Sequence, residues 1–159
     1  MGRRGEALRY LPLGLDVRGR TCLVVGGGPV GTRKVHNLLQ AGAAVTLVAP
    51  EASRELGGLG ESGAVRWLRE PFQDHHLQGV FLVVAATDDD ALNARLAREA
   101  GKRGILVCDA SSAERSQVIF GALHQGEGFT VAVFTHGRDP SRSREIRDRI
   151  AFHLGNTEG

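Results

Sequence analysis

The run Gly26, Gly27, Gly28, Pro29, Val30, Gly31 restricts this chain more than any other feature. It satisfies G-x-G-x-x-G, follows the apolar run Thr21 to Val25, and opens a helical pattern carried by Val30, Val35, Leu38 and Leu39. In a chain with 22 glycines a bare glycine motif is weak. The strand before it and the helix after it supply the context that the physics needs. The first glycine then permits a tight turn, the second lets backbone approach a pyrophosphate, and the third lets helix and strand pack closely. Free N–H groups and the positive end of the helix dipole face the phosphates. Pro29 fits, because the first helical residue needs no N–H. Gly26, Gly27, Gly28, Pro29, Val30 and Gly31 are therefore expected to bind a dinucleotide, the alternative being a glycine turn that binds nothing.

The remaining pattern repeats strand and helix. Gly42 ends the first helix and Val45 to Val48 form the next strand. A weak helical stretch from Glu51 to Leu59 precedes a strand at Ala64 to Trp67. Val80 to Ala86 is a continuous apolar run, as in a central strand covered on both faces. Thr87 offers an N-cap with Asp90 in capping-box position, and Leu92, Leu96 and Ala100 line one face of a helix from Asp88 to Ala100. Ile105 to Cys108 is the next strand. This alternation predicts an α/β, Rossmann-like doubly wound parallel sheet over residues 1–115. After Ser116 the pattern changes. Val118 to Leu123 and Phe129 to Phe134 flank Gln125 to Gly128 as a β-hairpin, and Asp139 with Pro140 starts a helix striped by Ile146, Ile150 and Leu154. Residues 116–159 are too few to hold a core alone, so they must pack on the first domain or on another chain.

Composition removes other classes. A net charge of +2 and 5% aromatic residues give no reason to expect a nucleic-acid partner. No apolar run reaches the roughly 20 residues of a membrane span, and the arginines of Met1 to Arg9 precede no signal-peptide core. The expected location is cytoplasmic, with no membrane partner. Cys22 and Cys108 each sit in an apolar run and read as buried strand thiols rather than a disulfide or metal pair. Two separated cysteines cannot furnish a Cys₄ zinc lobe. His36 reads as a helix residue rather than a ligand, and His75 and His76 lie in a polar connector without a partner at ligand spacing, so no metal site is expected. Tyr10, the only tyrosine, precedes the glycine motif, which rules out a downstream Tyr-x-x-x-Lys pair. Glu51 lies about 20 residues past the last glycine, where an acidic residue takes the ribose hydroxyls. It reads equally as an exposed first-turn helix residue, and Arg54 leaves NADP open beside NAD.

Longer motifs are more specific. Tyr10 to Leu13, Val17 to Arg20 and Leu23 to Lys34 resemble the start of the precorrin-2 dehydrogenases of siroheme synthesis, a family some of whose members are also sirohydrochlorin ferrochelatases. Ala85 to Asp89 with Asn93, Val118 to Ala122, and Val131 to Pro140 with Arg144 and Arg147 are similar to the same family. The likeness covers nearly the whole chain. It implies NAD-dependent oxidation of precorrin-2 to sirohydrochlorin, in some members with Fe²⁺ insertion, by a homodimer assembled through the region after the sheet. It places Thr87 and Asp88 beside the cofactor, and it gives Arg138, Arg142, Arg144 and Arg147 a role as contacts for substrate carboxylates, against a solvated helix face. Thr135 matches a small hydroxyl near the family's cleft, or forms a turn. The family's acid/base aspartate follows the fifth strand. Asp109 is the only carboxylate at that strand end, although a gapless match puts Ser111 or Ser112 there. The helical region after Pro140 is shorter than in the family. The rival function is a non-catalytic NAD-sensing module, which needs the glycine loop but no acid at Asp109.

Overall fold

The computed structural model describes residues 8–135 and 139–155. The chain forms two compact units, Leu15–Val118 and a second unit of the described residues before Leu15 with those from Ile119 onward.

The first unit is a five-stranded parallel sheet in the order β3-β2-β1-β4-β5. Its strands are β1 (Thr21–Gly27), β2 (Ala44–Ala52), β3 (Arg66–Leu68), β4 (Leu82–Ala85) and β5 (Leu106–Asp109). Helices α1 (Pro29–Gln40), α2 (Arg54–Glu61) and α3 (Asp90–Lys102) connect them, with short 3₁₀ turns at Asp74–Leu77 and Ala113–Arg115. All four residues of β4 are buried, as the continuous apolar run requires. Side chains alternate across the sheet. Leu23, Val25, Val83, Ala85 and Val107 join Leu96, Ala97 and Ala100 of α3 in one core, while Val24 turns toward the start of α1. Cys22 in β1 and Cys108 in β5 are buried, unpaired thiols, each pushed up to about 11 by burial. Among the described residues no helix is long and apolar enough to cross a membrane.

Several boundaries shift by a few residues from the sequence expectation, and three of the differences show tertiary contacts overriding local pattern. β2 runs on to Ala52, drawn out by the pairing of Gly27 with Ala52, so Glu51 belongs to the strand and α2 starts only at Arg54. Ser53 caps that helix, its Oγ accepting from Leu56 N at 3.3 Å. The cap of α3 is Asp89 rather than Thr87: Asp89 Oδ1 accepts from Leu92 N at 3.1 Å, and the Thr87 hydroxyl donates to Asn93 Oδ1 at 2.7 Å. Gln117 and Val118 do not enter the hairpin. Their N–H groups both donate to Val107 O at 3.0 Å, and Val107 N donates to Gln117 Oε1 at 3.1 Å, so this segment docks on the outer edge of β5.

The second unit holds the antiparallel hairpin β6 (Ala122–Gly126) and β7 (Phe129–Val133) with α4 (Pro140–Gly155). Gly126 pairs with Phe129, which leaves the two-residue turn Glu127, Gly128, with Gly128 at φ +76°. Asp139 caps α4, its Oδ1 accepting from Arg142 N at 2.9 Å. Along the apolar stripe, Ile146 and Ile150 are half-buried, whereas Leu154 and its neighbour Phe152 are exposed.

Candidate functional site

The glycine loop closes the carboxyl end of β1 against its neighbours. A Cβ at Gly26, which has φ +115°, would lie 2.2 Å from Ala86 O, and one at Gly27 would lie 2.2 Å from Glu51 O. A Cβ at Gly31 would lie 2.1 Å from Gly26 O. These three glycines are demanded by the chain itself. Gly28 is not. Its φ of −81° suits any residue, and a Cβ there would meet no heavy atom of the described residues within 4 Å. The loop is stapled from behind: Ser53 N donates to Gly27 O at 2.9 Å, and Thr32 Oγ1 donates to Gly28 O and shares a 3.0 Å hydrogen bond with Ser53 Oγ. No side chain caps α1, so its first N–H groups point past Gly28 into open space.

That space is a cleft of about 740 Å³ across the carboxyl ends of β1, β2 and β4. It falls within the usual range for a small-molecule site. Gly26, Gly27 and Gly28 form its floor, Ala49 to Ala52 one rim, Ala86, Thr87 and Asp88 the other, and Phe72 and Leu92 an apolar wall. Among the described residues, Glu51 and Asp88 are the only titratable ones lining it, one on each rim. Glu51 is thus a strand-tip carboxylate and not a first-turn helix residue. Arg54, Pro29, Val30 and Gly31 do not line the cleft. The Asp88 rim is held by buried Asn93, whose Oδ1 accepts from both Thr87 N and Thr87 Oγ1 and whose Nδ2 donates to Thr87 O at 3.0 Å.

Asp109 is the last residue of β5, opposite Ala85 of β4, and its side chain has no exposed surface. Oδ1 accepts from Ser111 N at 2.9 Å and from Ser111 Oγ at 2.6 Å, and Oδ2 accepts from Arg115 Nε at 2.6 Å. Arg115 also pairs with Asp90 at the start of α3. Its hydrogen bonds hold the Asp90 carboxyl below the usual range, and the two carboxylates raise Arg115 further above its own. Asn93 Nδ2 reaches Ser111 Oγ at 3.3 Å and joins this clasp to the Thr87 rim. Sequence reasoning missed Arg115; only the fold brings it onto Asp109.

The expected substrate residues fall in the second unit. Thr135 Oγ1 donates to Asp139 O at 2.6 Å and shares a hydrogen bond with Ser143 Oγ, so its hydroxyl serves the start of α4. Arg142 is exposed, Arg144 donates to Ser141 Oγ, and Arg147 pairs with Asp148 and reaches Leu123 O. Arg138, like His136, lies outside the described residues. His36 pairs with Glu55 of α2 at 2.6 Å. His76, expected to lack a partner, is corrected by the structure: its Nε2 meets Glu70 Oε1 at 2.8 Å, with His75 close by. Gln73 N donates to His76 Nδ1, which fixes the proton on Nε2 and withholds the lone pair a metal would need there.

The family described as "Putative NAD(P)-binding" matches residues 13–122. A siroheme synthase of Photorhabdus laumondii is 39% identical over 150 residues, 94% of this chain and 32% of that protein. Siroheme synthase 1 of Serratia proteamaculans is 41% identical over 141 residues, 89% of this chain and 30% of that protein. The chain therefore spans about a third of these relatives. The solved structure of SirC, a precorrin-2 dehydrogenase, superposes with a TM-score of 0.79 at 32% identity, over 91% of this chain and 71% of that one. The chain belongs to the precorrin-2 dehydrogenase family. NAD, the cofactor of this family, fits the cleft: Gly28 leaves room for a pyrophosphate at the uncapped end of α1, and Glu51 lies on the β2 rim.

Two outcomes follow from this geometry. Gly28→Val should fold and lose NAD binding by calorimetry, whereas Gly31→Val should fail to fold because its Cβ would strike the Gly26 carbonyl. Unchanged NAD affinity in folded Gly28→Val would remove the loop from the cofactor site. Arg115→Met should destabilise the protein in urea by about 3 kcal/mol, near the low end for one partner lost from a buried pair. Adding Asp109→Asn should recover part of that loss. A loss below about 1 kcal/mol, typical of exposed pairs, would show that the clasp contributes little.

Proposed function

We propose that this chain oxidises precorrin-2 to sirohydrochlorin with NAD, in siroheme biosynthesis. The observation that carries this reading is the likeness to SirC over 91% of the chain, an extent that reaches beyond the sheet unit Leu15–Val118. An NAD-sensing module would need the sheet alone. Bound NAD supplies the hydride acceptor. The chain's own residues hold the dinucleotide: the Gly26 to Gly28 turn with the start of α1 at the pyrophosphate, Glu51 at the adenosine ribose, and Thr87 along the opposite rim, where Asp88 faces the cleft without holding the cofactor. Arg138 and Arg144, helped by Arg142 and Arg147, take the substrate's carboxylates. Thr135 contributes by fixing the start of α4. Fe²⁺ insertion rests on family resemblance alone.

The same reading includes a homodimer in the cytoplasm. Phe129, Phe152 and Leu154 of the second unit expose 44%, 68% and 38% of their surface, an apolar load that a second copy of the chain would cover. Unpaired thiols suit a reducing compartment.

Purified protein mixed with precorrin-2 should change its absorbance to that of sirohydrochlorin with NAD present and not without it. Turnover that ignores NAD, or none at all, would overturn the assignment. Light scattering at micromolar concentration should report twice the 17.0 kDa chain mass. A monomer there would overturn the dimer.

A further inference from the structure

Dehydrogenation removes two hydrogens from the substrate. One leaves with its bonding electron pair and goes to the nicotinamide ring; the other leaves as a proton, and a new double bond stays in the macrocycle. The nicotinamide takes no proton, so a group of this chain or water must accept it. Family resemblance points to the aspartate after the fifth strand, which here is Asp109. The geometry points elsewhere.

Asp109 has no exposed side-chain surface, and each of its oxygens is already engaged, Oδ1 by Ser111 and Oδ2 by Arg115. To take a substrate proton it would have to give up a charge-assisted hydrogen bond and leave Arg115 partly unpaired. It does not line the cleft. Asp88 differs on every count. It is exposed, it lines the cleft, and among the described residues it makes no hydrogen bond or ion pair. Its backbone is fixed all the same, because Asn93 binds the N–H, carbonyl and hydroxyl of neighbouring Thr87. Among the described residues the one other carboxylate on the cleft, Glu51, stands on the β2 rim, the side proposed above for the adenosine ribose. With the adenosine half held on that side, the reacting half of the dinucleotide would extend toward the β4 rim, where Asp88 is.

Resting on the oxidation proposed above, we infer that Asp88 is the catalytic base, and that Asp109, Ser111 and Arg115 are positioning residues that lock the end of β5 to the start of α3. Asp88 takes the substrate proton on a carboxylate oxygen, forming an O–H bond, and then releases it to water across its exposed side. The Asn93 amide keeps the rim in place while this happens.

The test uses the full chain with precorrin-2 and NAD. Wild type is measured first; absence of NAD-dependent turnover there overturns the oxidation itself. Given an active wild type, Asp88→Asn should lower kcat by about 10²–10³-fold, the usual worth of a general base, and should flatten the acid limb of the pH–rate profile. Asp88→Glu should restore part of kcat and the acid limb. NAD affinity of Asp88→Asn by calorimetry should stay within the roughly tenfold that 1.4 kcal/mol represents. Asp109→Asn should retain the acid limb whatever its thermal midpoint. An Asp88→Asn enzyme that turns over near the wild-type rate overturns the assignment, as does one that has lost NAD binding, since Asp88 would then be a cofactor contact. Loss of the acid limb in Asp109→Asn but not in Asp88→Asn would return the role to Asp109.

Discussion

The approach of α1 to the Gly26 carbonyl sets the position of everything else at the cleft. Gly31 lies so close that a single Cβ would sit 2.1 Å from that oxygen. This contact aims the start of the helix at the space in front of Gly28, and the staple from Ser53 and Thr32 keeps the loop from relaxing away. Backbone N–H groups held in this way need no reorganisation to meet a phosphate. The glycine motif thus divides by cause. Gly26, Gly27 and Gly31 answer to the chain's own packing, and Gly28 faces open space in front of the helix.

Much of this was legible in the sequence because it is local. A strand, a glycine turn and a helix that follow each other within 20 residues announce themselves by period and by residue type. The parallel, doubly wound arrangement of the remaining strands followed from the same alternation. What the sequence concealed depends on partners far along the chain. Glu51 reads as helical until Gly27 pairs with Ala52 and draws β2 onward. Thr87 has the chemistry of an N-cap, yet Asn93 claims its hydroxyl and leaves the cap to Asp89. Arg115 is one arginine among many until the fold places it between Asp90 and Asp109, 25 and 6 residues away.

The two sides of α3's first turn illustrate how charge can be divided between support and chemistry. Asp90 and Asp109 share one guanidinium, and neither is left over for a reaction. Asp88, two residues before Asp90, has no such partner among the described residues and lines the cleft. A buried pair fixes geometry because separating its charges is costly. An exposed carboxylate on a rigid rim can change protonation state without disturbing the fold.

The docking of Gln117 and Val118 on β5 has a consequence for where the sheet ends. β5 is an edge strand, and its outer side would present the N–H and C=O of Val107 to any passing chain. The Gln117 side-chain oxygen takes that N–H, and the N–H groups of Gln117 and Val118 take that carbonyl. A fragment cut at residue 115 would keep all five strands of the parallel sheet and expose this edge, inviting strand-to-strand aggregation, whereas one extended through Val118 would carry its own cover.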